Sequence, residues 1–397
     1  MLRSRLALPD RQYERDGRQR VLVVHRLGLS NRELAPSASR LARSVNVRIL
    51  GRPNFGSSAS ALFVIANASD PETSAMNNLI KQAQHIPVDE ARTTISISPI
   101  TLAAPGRGLP LELRITGPVS GEALPIVLLS HGHGPSNYIP SKDGYGPLVN
   151  FYAERGFVVI QPTHLNSKVA GLPAGSAGGP LFWRSRVEDM SLILDRLDEV
   201  EAAATAFRGR LDRAKVAVVG HSMGGQTAGL LLGARLTDPK DPAAQDVNVL
   251  EPRIKAGVLL TAPGNGGDSL TEATASNYSW FNPDFSHMTT RNLVVVGSDD
   301  ASAHLTVRGP SWHADPYHCS PGAEALMTVL GGKHGLGGIS GYDAKETDDE
   351  EPERLEVVLR MTWAYLRSAF DGDDRAWAAA RAALQTHAPS QARVDLR

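Results

Sequence analysis

The stretch Val218-Val219-Gly220-His221-Ser222-Met223-Gly224-Gly225 limits what this chain can fold into more than any other. Val216 to Val219 is a short apolar run of strand type, and Met223 to Ala234 is rich in alanine, glycine and leucine. The expected local order is therefore strand, tight turn, helix. A serine at the apex of such a turn needs little bulk on either side, and Gly220 and Gly224 flank Ser222 at two residues' distance, giving G-x-S-x-G. Two readings follow: a nucleophile held out from the end of a sheet strand, or an ordinary polar turn residue. A helix opening at Met223 favours the first, because its unpaired backbone N–H groups point where charge would develop.

The flanking segments alternate in type. Thr93–Ser98 and Leu111–Ile115 alternate polar and apolar residues as half-exposed strands do, whereas Pro125–Ser130 is an apolar run of the kind buried on both faces. Residues 144–155 predict a helix closed by Gly156, with a strand at Phe157–Ile160. Apolar positions at helical spacing run through 184–205. Ile254–Leu260 and Leu293–Val296 read as further buried strands, and Glu353–Phe370 as the last long helix. The alternation predicts an α/β architecture with a mainly parallel central sheet flanked by helices. The connections 261–291 and 301–325 are too long for plain turns.

A serine nucleophile needs a base, and the base needs an orienting acid. Leu293-Val294-Val295-Val296-Gly297-Ser298-Asp299-Asp300 sets two acids beyond a buried strand, of which Asp300 has the better reach and Asp299 suits a bond within the turn. Among the chain's 12 histidines, His334 sits in the glycine turn Gly331-Gly332-Lys333-His334-Gly335 before the last long helix. Ser222, Asp300 and His334 then follow the chain order of a hydrolase triad. His304, His313 and His318 lie too near the acid for an intervening helix, and are expected to line a pocket at most.

Ser130-His131-Gly132-His133-Gly134 follows the first buried strand and can turn sharply. It offers the backbone N–H of His133 as one oxyanion donor, with Met223 N–H as the second. His131 reads as a brace for this loop. The rival reading, zinc held by His131, His133 and His164, has the right number of nitrogens. Serine chemistry needs no metal or cofactor, and none is expected. The pocket wall is expected to draw on His164, Trp183, Trp280, Phe281 and Trp312. Trp183, with Arg184 and Arg186, reads first as helix-start packing with ion pairs to Glu188 or Asp189.

Composition narrows the function class. A formal net charge of -1 over 397 residues gives no support for a nucleic-acid face. No run of 18 apolar residues predicts a membrane span, and no signal-peptide pattern opens the chain, so a cytoplasmic location is expected. The single Cys319 is expected to be a small buried hydrophobe. Residues 1–75 hold twelve arginines, no lysine and six acids, and read as an N-terminal extension or small added module. Residues 76–375 form the expected catalytic domain, and 376–397 a peripheral helix and frayed tail. The acid-rich segment 343–356 reads as a solvated loop running into a helix start. Nothing in the sequence sets an oligomeric state.

Over about residues 93–370 the chain resembles the α/β-hydrolase superfamily. The resemblance is carried by LLSHGHG at 128–134, GFVVIQPTH at 156–164, WRSRVEDMSLILDRL at 183–197, VVGHSMGG at 218–225, and the later VVVGSDD and GGKHG. More narrowly it resembles the branch that holds dienelactone-hydrolase-like esterases, chlorophyllases, platelet-activating-factor acetylhydrolases and cutinase-like polyester hydrolases. That resemblance implies cleavage of small-molecule carboxylic esters through an acyl-serine; acyl transfer or a noncatalytic ligand-binding role are the alternatives. The chain departs from dienelactone hydrolases in having serine for cysteine. It departs from the polyester hydrolases in His133, where they carry an aromatic ring, and in lacking disulfides.

Overall fold

The computed structural model describes residues 80, 82–173, 175–179, 181–341 and 348–397, together with three short strands nearer the N-terminus. The chain divides into two units, Met1–Leu79 and Ile80–Arg397. In the first, β1 (Val21–Val23) and β2 (Asn46–Val47) pair antiparallel with the two ends of β3 (Phe63–Asn67). Apart from these strands, the arginine-rich segment 1–75 lies outside the described residues.

The second unit is built on one large sheet. Its elements begin with β4 (Thr94–Leu102), β5 (Leu111–Pro118), β6 (Leu124–Ser130), α1 (Gly146–Glu154) and β7 (Val158–Pro162). Next come α2 (Trp183–Asp195), α3 (Leu197–Ala203), β8 (Leu211–His221) and α4 (Met223–Leu231). The two-residue strands β9 (Arg235–Leu236) and β10 (Val247–Asn248) precede β11 (Ile254–Leu260), and α5 (Glu272–Asn277) and β12 (Pro283–Asp284) precede β13 (Asn292–Gly297). The chain ends with α6 (Asp315–Cys319), β14 (Ala323–Val329), α7 (Pro352–Asp371), α8 (Arg375–His387) and β15 (Ala392–Leu396).

The sheet order is β15-β14-β13-β11-β8-β6-β7-β5-β4. The six strands from β14 to β7 run parallel, and β5, β4 and β15 add antiparallel edges. Alternate residues of a central strand serve opposite faces. Val127 and Leu129 of β6 join a core with α1, α7 and α8, while Ile126 and Leu128 join one with α2, α3 and α4. Both faces are covered, which is why these strands read as unbroken apolar runs. This is the α/β-hydrolase fold.

Four differences from the sequence reading have physical causes. The segment 184–205 is two helices, because the backbone leaves helical geometry at Arg196 (φ −114°, ψ 23°). β14 lies across a stretch read partly as connection; its apolar run is interrupted by Glu324 and Thr328, yet six of its seven residues are buried. The tail is not frayed: β15 pairs antiparallel with β14 from Val329–Ala392 to Ala325–Leu396. Cys319 is exposed at the end of α6 rather than buried.

The turn from β8 to α4 is set by missing side chains. A Cβ on Gly220 would meet the Gly224 carbonyl, and one on Gly224 would meet the Ser130 carbonyl, both well inside contact distance. A Cβ on Gly225 would lie 2.6 Å from the Ala262 Cβ. The obstacles are largely backbone, which cannot swing away as a side chain can. Gly224→Ala should therefore cost roughly 1–3 kcal/mol or more of stability, measured by thermal unfolding. A variant as stable as the parent would contradict this packing.

Candidate active site

Four segments meet at the carboxyl ends of the parallel strands, where open α/β sheets place ligands. Ser222 follows β8, the loop 131–134 follows β6, Asp300 follows β13 and His334 follows β14. Strand register brings these ends level: Ser130 pairs with Gly220, His221 with Leu260, and Gly297 with Val329.

Ser222 has φ 55° and ψ −122°, outside the regions a residue with a side chain favours. Such a conformation costs of order 1–3 kcal/mol and persists only where its surroundings impose it. Here the Ser222 N–H donates to the Leu260 carbonyl at 2.9 Å, and its own carbonyl accepts from Gly225 and Gln226 at 2.8 and 3.2 Å. The side chain is half-buried at the elbow. Met223, the first residue of α4, has no intrahelical acceptor for its N–H.

Asp300, and not the exposed Asp299, meets His334. Its Oδ2 lies 2.7 Å from Nδ1 of His334, while Asp299 accepts from Ser298 at 2.8 Å. Asp300 is buried and has two further partners: Ser302 donates to Oδ1 at 2.8 Å, and Nε2 of His313 lies 3.1 Å from Oδ2. Burial alone would raise its carboxyl, but the hydrogen bonds from His313 and His334 outweigh it and hold the group well below the usual carboxylate range. His313 is itself buried, with Nδ1 donating to the Ala262 carbonyl at 2.8 Å. Sequence spacing gave no signal for this second histidine on the acid.

The His334 loop is framed by a residue that the acid-rich segment concealed. Asp349 is buried, and its Oδ2 accepts from Lys333 N–H at 2.6 Å and Gly337 N–H at 3.2 Å, while Oδ1 pairs with Arg354 at 2.7 Å. That part of the segment is structural rather than solvated; residues 342–347 lie outside the described residues.

In the loop after β6, the Gly132 N–H donates to Tyr145 at 2.9 Å and is thereby taken. His131 braces the loop: Nε2 accepts from the His164 N–H at 3.0 Å, so Nδ1 carries the proton donated to the Gly132 carbonyl at 2.7 Å. His133 is exposed, with Asn166 at 3.2 Å from its Nδ1. Behind the loop lies Arg186, wholly buried, donating to Thr227 at 2.9 Å, Asn166 at 2.5 Å, Ser130 at 3.1 Å and the His131 carbonyl. Burial pushes its guanidinium down to about 9 against the pull of Asp189 and Tyr145, which leaves it charged at neutral pH. The expected ion pair of Asp189 with Arg186 is replaced by one with Arg107, at 2.6 Å.

His164 is fully buried between Ser130 (3.0 Å) and Asp189 (2.8 Å), so it presents no surface to a pocket. Both ring nitrogens of His131 and of His164 are thus engaged, which leaves the zinc reading no open donor on either. Ligand atoms of Asp300, His313 and His334 lie within 4.8 Å of one another, the one such cluster found among the described residues. A cation there would displace the hydrogen bonds that Asp300 makes to both rings. Trp312 is also fully buried, its Nε1–H donating to Asn265 at 2.8 Å, and Trp183 and Phe281 are nearly so; Trp280 is half-buried. The rings form a packed series, Trp183–Trp280 at 6.4 Å, Trp280–Phe281 at 5.6 Å and Phe281–Trp312 at 5.9 Å. On one flank Phe281 lines a cavity of about 240 Å³ with Leu270, Tyr278 and Lys240; Ser222, Asp300 and His334 do not line it.

Neither a protein-family model nor a curated protein matches the chain. Among solved structures it is similar to a Pyrobaculum calidifontis esterase in a monoclinic form, at 20% identity over 76% of this chain and 91% of that one, TM-score 0.41. It is similar also to the hyperthermophilic esterase from the archaeon Pyrobaculum calidifontis, at 19% identity over 86% and 99%, TM-score 0.42. A third is an arylesterase, at 15% identity over 77% and 94%, TM-score 0.43. No described helix is long and apolar enough to cross a membrane.

Three buried histidines make stability depend on pH. Burial, with His164 and Arg186 nearby, holds His131 well below its ordinary 6.5; burial with Arg186 and Arg107 does the same for His164. Burial and His334 push His221 down to about 3. Unfolding lets each ring take a proton near pH 6.5, so this stability is complete above 6.5 and drains as pH falls below it, for His221 down to about 3. Each contributes a slope of about 1.4 kcal/mol per pH unit. Asp189, raised by burial to about 6, opposes one of the three between pH 6 and 4. The unfolding free energy from urea titrations should be level near pH 7.5 and fall by about 3 kcal/mol per pH unit below pH 6. A flat profile down to pH 5 would exclude buried neutral rings.

Proposed function

We propose that the protein is a serine hydrolase that cleaves carboxylic esters of small or medium, partly apolar substrates through an acyl-serine. One observation carries this reading: a strained Ser222 on the elbow after β8, with the His334–Asp300 pair at 2.7 Å beyond β14 and β13 at the same end of the sheet. Nδ1 of His334 faces the acid, which leaves Nε2 to take the Ser222 proton as the hydroxyl attacks the ester carbonyl. Asp300 fixes that tautomer and stabilises the imidazolium. The tetrahedral oxyanion is met by the N–H groups of Met223 and His133. With Gly132 N–H committed to Tyr145, His133 is the next donor along the loop. Collapse of this intermediate expels the alcohol, protonated by His334, and water activated by the same ring then releases the acid.

Ser222→Ala should lower kcat on a p-nitrophenyl ester by at least about 10⁴-fold with an unchanged thermal midpoint. A fluorophosphonate should label the parent at Ser222 and leave the variant untouched. Full esterase activity in Ser222→Ala would reject the mechanism. Product partitioning with added alcohol separates hydrolysis from acyl transfer, and an ester panel graded in acyl length and alcohol size defines the substrate.

A further inference from the structure

Tyr145 is unusual in two respects. Its side chain is wholly buried, and it caps the start of α1 with φ 62° and ψ 27°, a left-handed conformation that bulky residues seldom take. Its hydroxyl bridges two strand ends, accepting the Gly132 N–H at 2.9 Å and lying 2.7 Å from Nδ1 of His221. The other ring nitrogen of His221, Nε2, lies 2.8 Å from the carbonyl oxygen of His334.

Proton bookkeeping gives every bond one direction. A carbonyl only accepts, so Nε2 of His221 carries a proton and donates. The ring is neutral, because burial and the nearby His334 push it down to about 3. Nδ1 is therefore an acceptor, and the Tyr145 hydroxyl donates to it. The series runs Gly132 N–H to Tyr145, Tyr145 O–H to His221, and His221 Nε2–H to His334. It occupies space left by a missing side chain: a Cβ on Gly132 would lie 3.0 Å from the Tyr145 hydroxyl and 3.3 Å from Nδ1 of His221. The Tyr145 N–H also donates to Ser340 at 3.1 Å, in the same segment that carries His334.

We propose that Tyr145 and His221 are positioning residues that hold the β6 loop, the serine elbow and the His334 backbone in register through a His221 ring in its Nε2–H tautomer. This rests on the hydrolase reading of Ser222, Asp300 and His334. In the opposite tautomer, a nitrogen lone pair would face the His334 carbonyl, and the catalytic loop would lose its tie to the residue beside the nucleophile. The His334 carbonyl selects this tautomer and the Tyr145 hydroxyl satisfies the lone pair it leaves on Nδ1; the hydroxyl also turns the Gly132 N–H away from the oxyanion, so that the loop offers His133 instead.

The test joins imidazole ¹⁵N NMR with steady-state kinetics on a p-nitrophenyl ester, for the parent and Tyr145→Phe. In the parent at pH 7, His221 should show a protonated Nε2 and an unprotonated Nδ1. In Tyr145→Phe the Nδ1 resonance should shift as it loses its hydrogen bond, and kcat should fall roughly 10- to 100-fold, as expected for misplaced reacting groups, with KM changed less than about twofold. A parent spectrum with His221 protonated at Nδ1, or on both nitrogens, overturns the proposal even if the variant does not fold. So does a folded Tyr145→Phe with parental kcat, or one with lowered kcat and an unaltered Nδ1 resonance. If a fluorophosphonate fails to label Ser222 in the parent, the hydrolase reading fails and the positioning role with it; the tautomer result distinguishes that failure from a failure of the network.

Discussion

Backbone against backbone at Gly224 and Ser130 is the contact on which the remaining geometry depends. Central strands of a parallel sheet sit about 4.8 Å apart, and a helix can leave β8 beside β6 only if nothing projects between them. Two glycines remove that obstacle, and the chain pivots at Ser222 into a conformation it would not otherwise hold. The strain is confined to one residue because β6, β11 and the first turn of α4 each bond or pack against the pivot. A half-buried hydroxyl held out at the apex is the mechanical result of that crowding.

This explains why the elbow was legible in the sequence and why much of its support was not. Glycine spacing between a strand and a helix is a local pattern, as are the apolar runs of β6, β8, β11 and β13, and together they define the fold. His334 was also readable, since it lies in a glycine turn after the acid. β14, the strand that delivers it, was partly missed because Glu324 and Thr328 break its apolar pattern. Contacts made through space left no local trace. Tyr145, His313, Arg107 and Asp349 reach the site from turns, a loop and an acid-rich run, at separations of 5 to 82 residues for the side-chain bonds they make. Asp349 was hidden by composition itself: in a run of acids, nothing distinguishes the one carboxylate that turns inward.

The polar groups behind the β6 loop carry a cost that the loop's rigidity offsets. Arg186 is a buried cation whose hydrogen-bond acceptors are all neutral: two hydroxyls, an amide oxygen and a backbone carbonyl. Apolar side chains of similar volume would often be as stable in such a place. What the guanidinium supplies is planar geometry, a rigid fork that ties α2, α4 and the β6 loop together. Asp189 is near but bonds Arg107 and His164 instead, so the charge of Arg186 is not cancelled by a direct partner.

The same uncancelled charge sorts the titratable groups around the site. His131 and His164 stand close enough to Arg186 for its field to add to burial in keeping them neutral. Neutral rings can accept at one nitrogen and donate at the other, which is the bonding that His131 shows. On the far side of the elbow the requirement reverses: Asp300 must stay ionised to hold His334, and two imidazoles and a hydroxyl surround it. His221 lies between these regions and is itself neutral, so its hydrogen bonds can link the two sides without adding charge near a developing imidazolium at His334. A positive ring at position 221 would oppose that charge by like-sign repulsion in a medium of low dielectric. In the proposed mechanism, the neutral state of His221 therefore serves both the register of the loops and the electrostatics of the reaction.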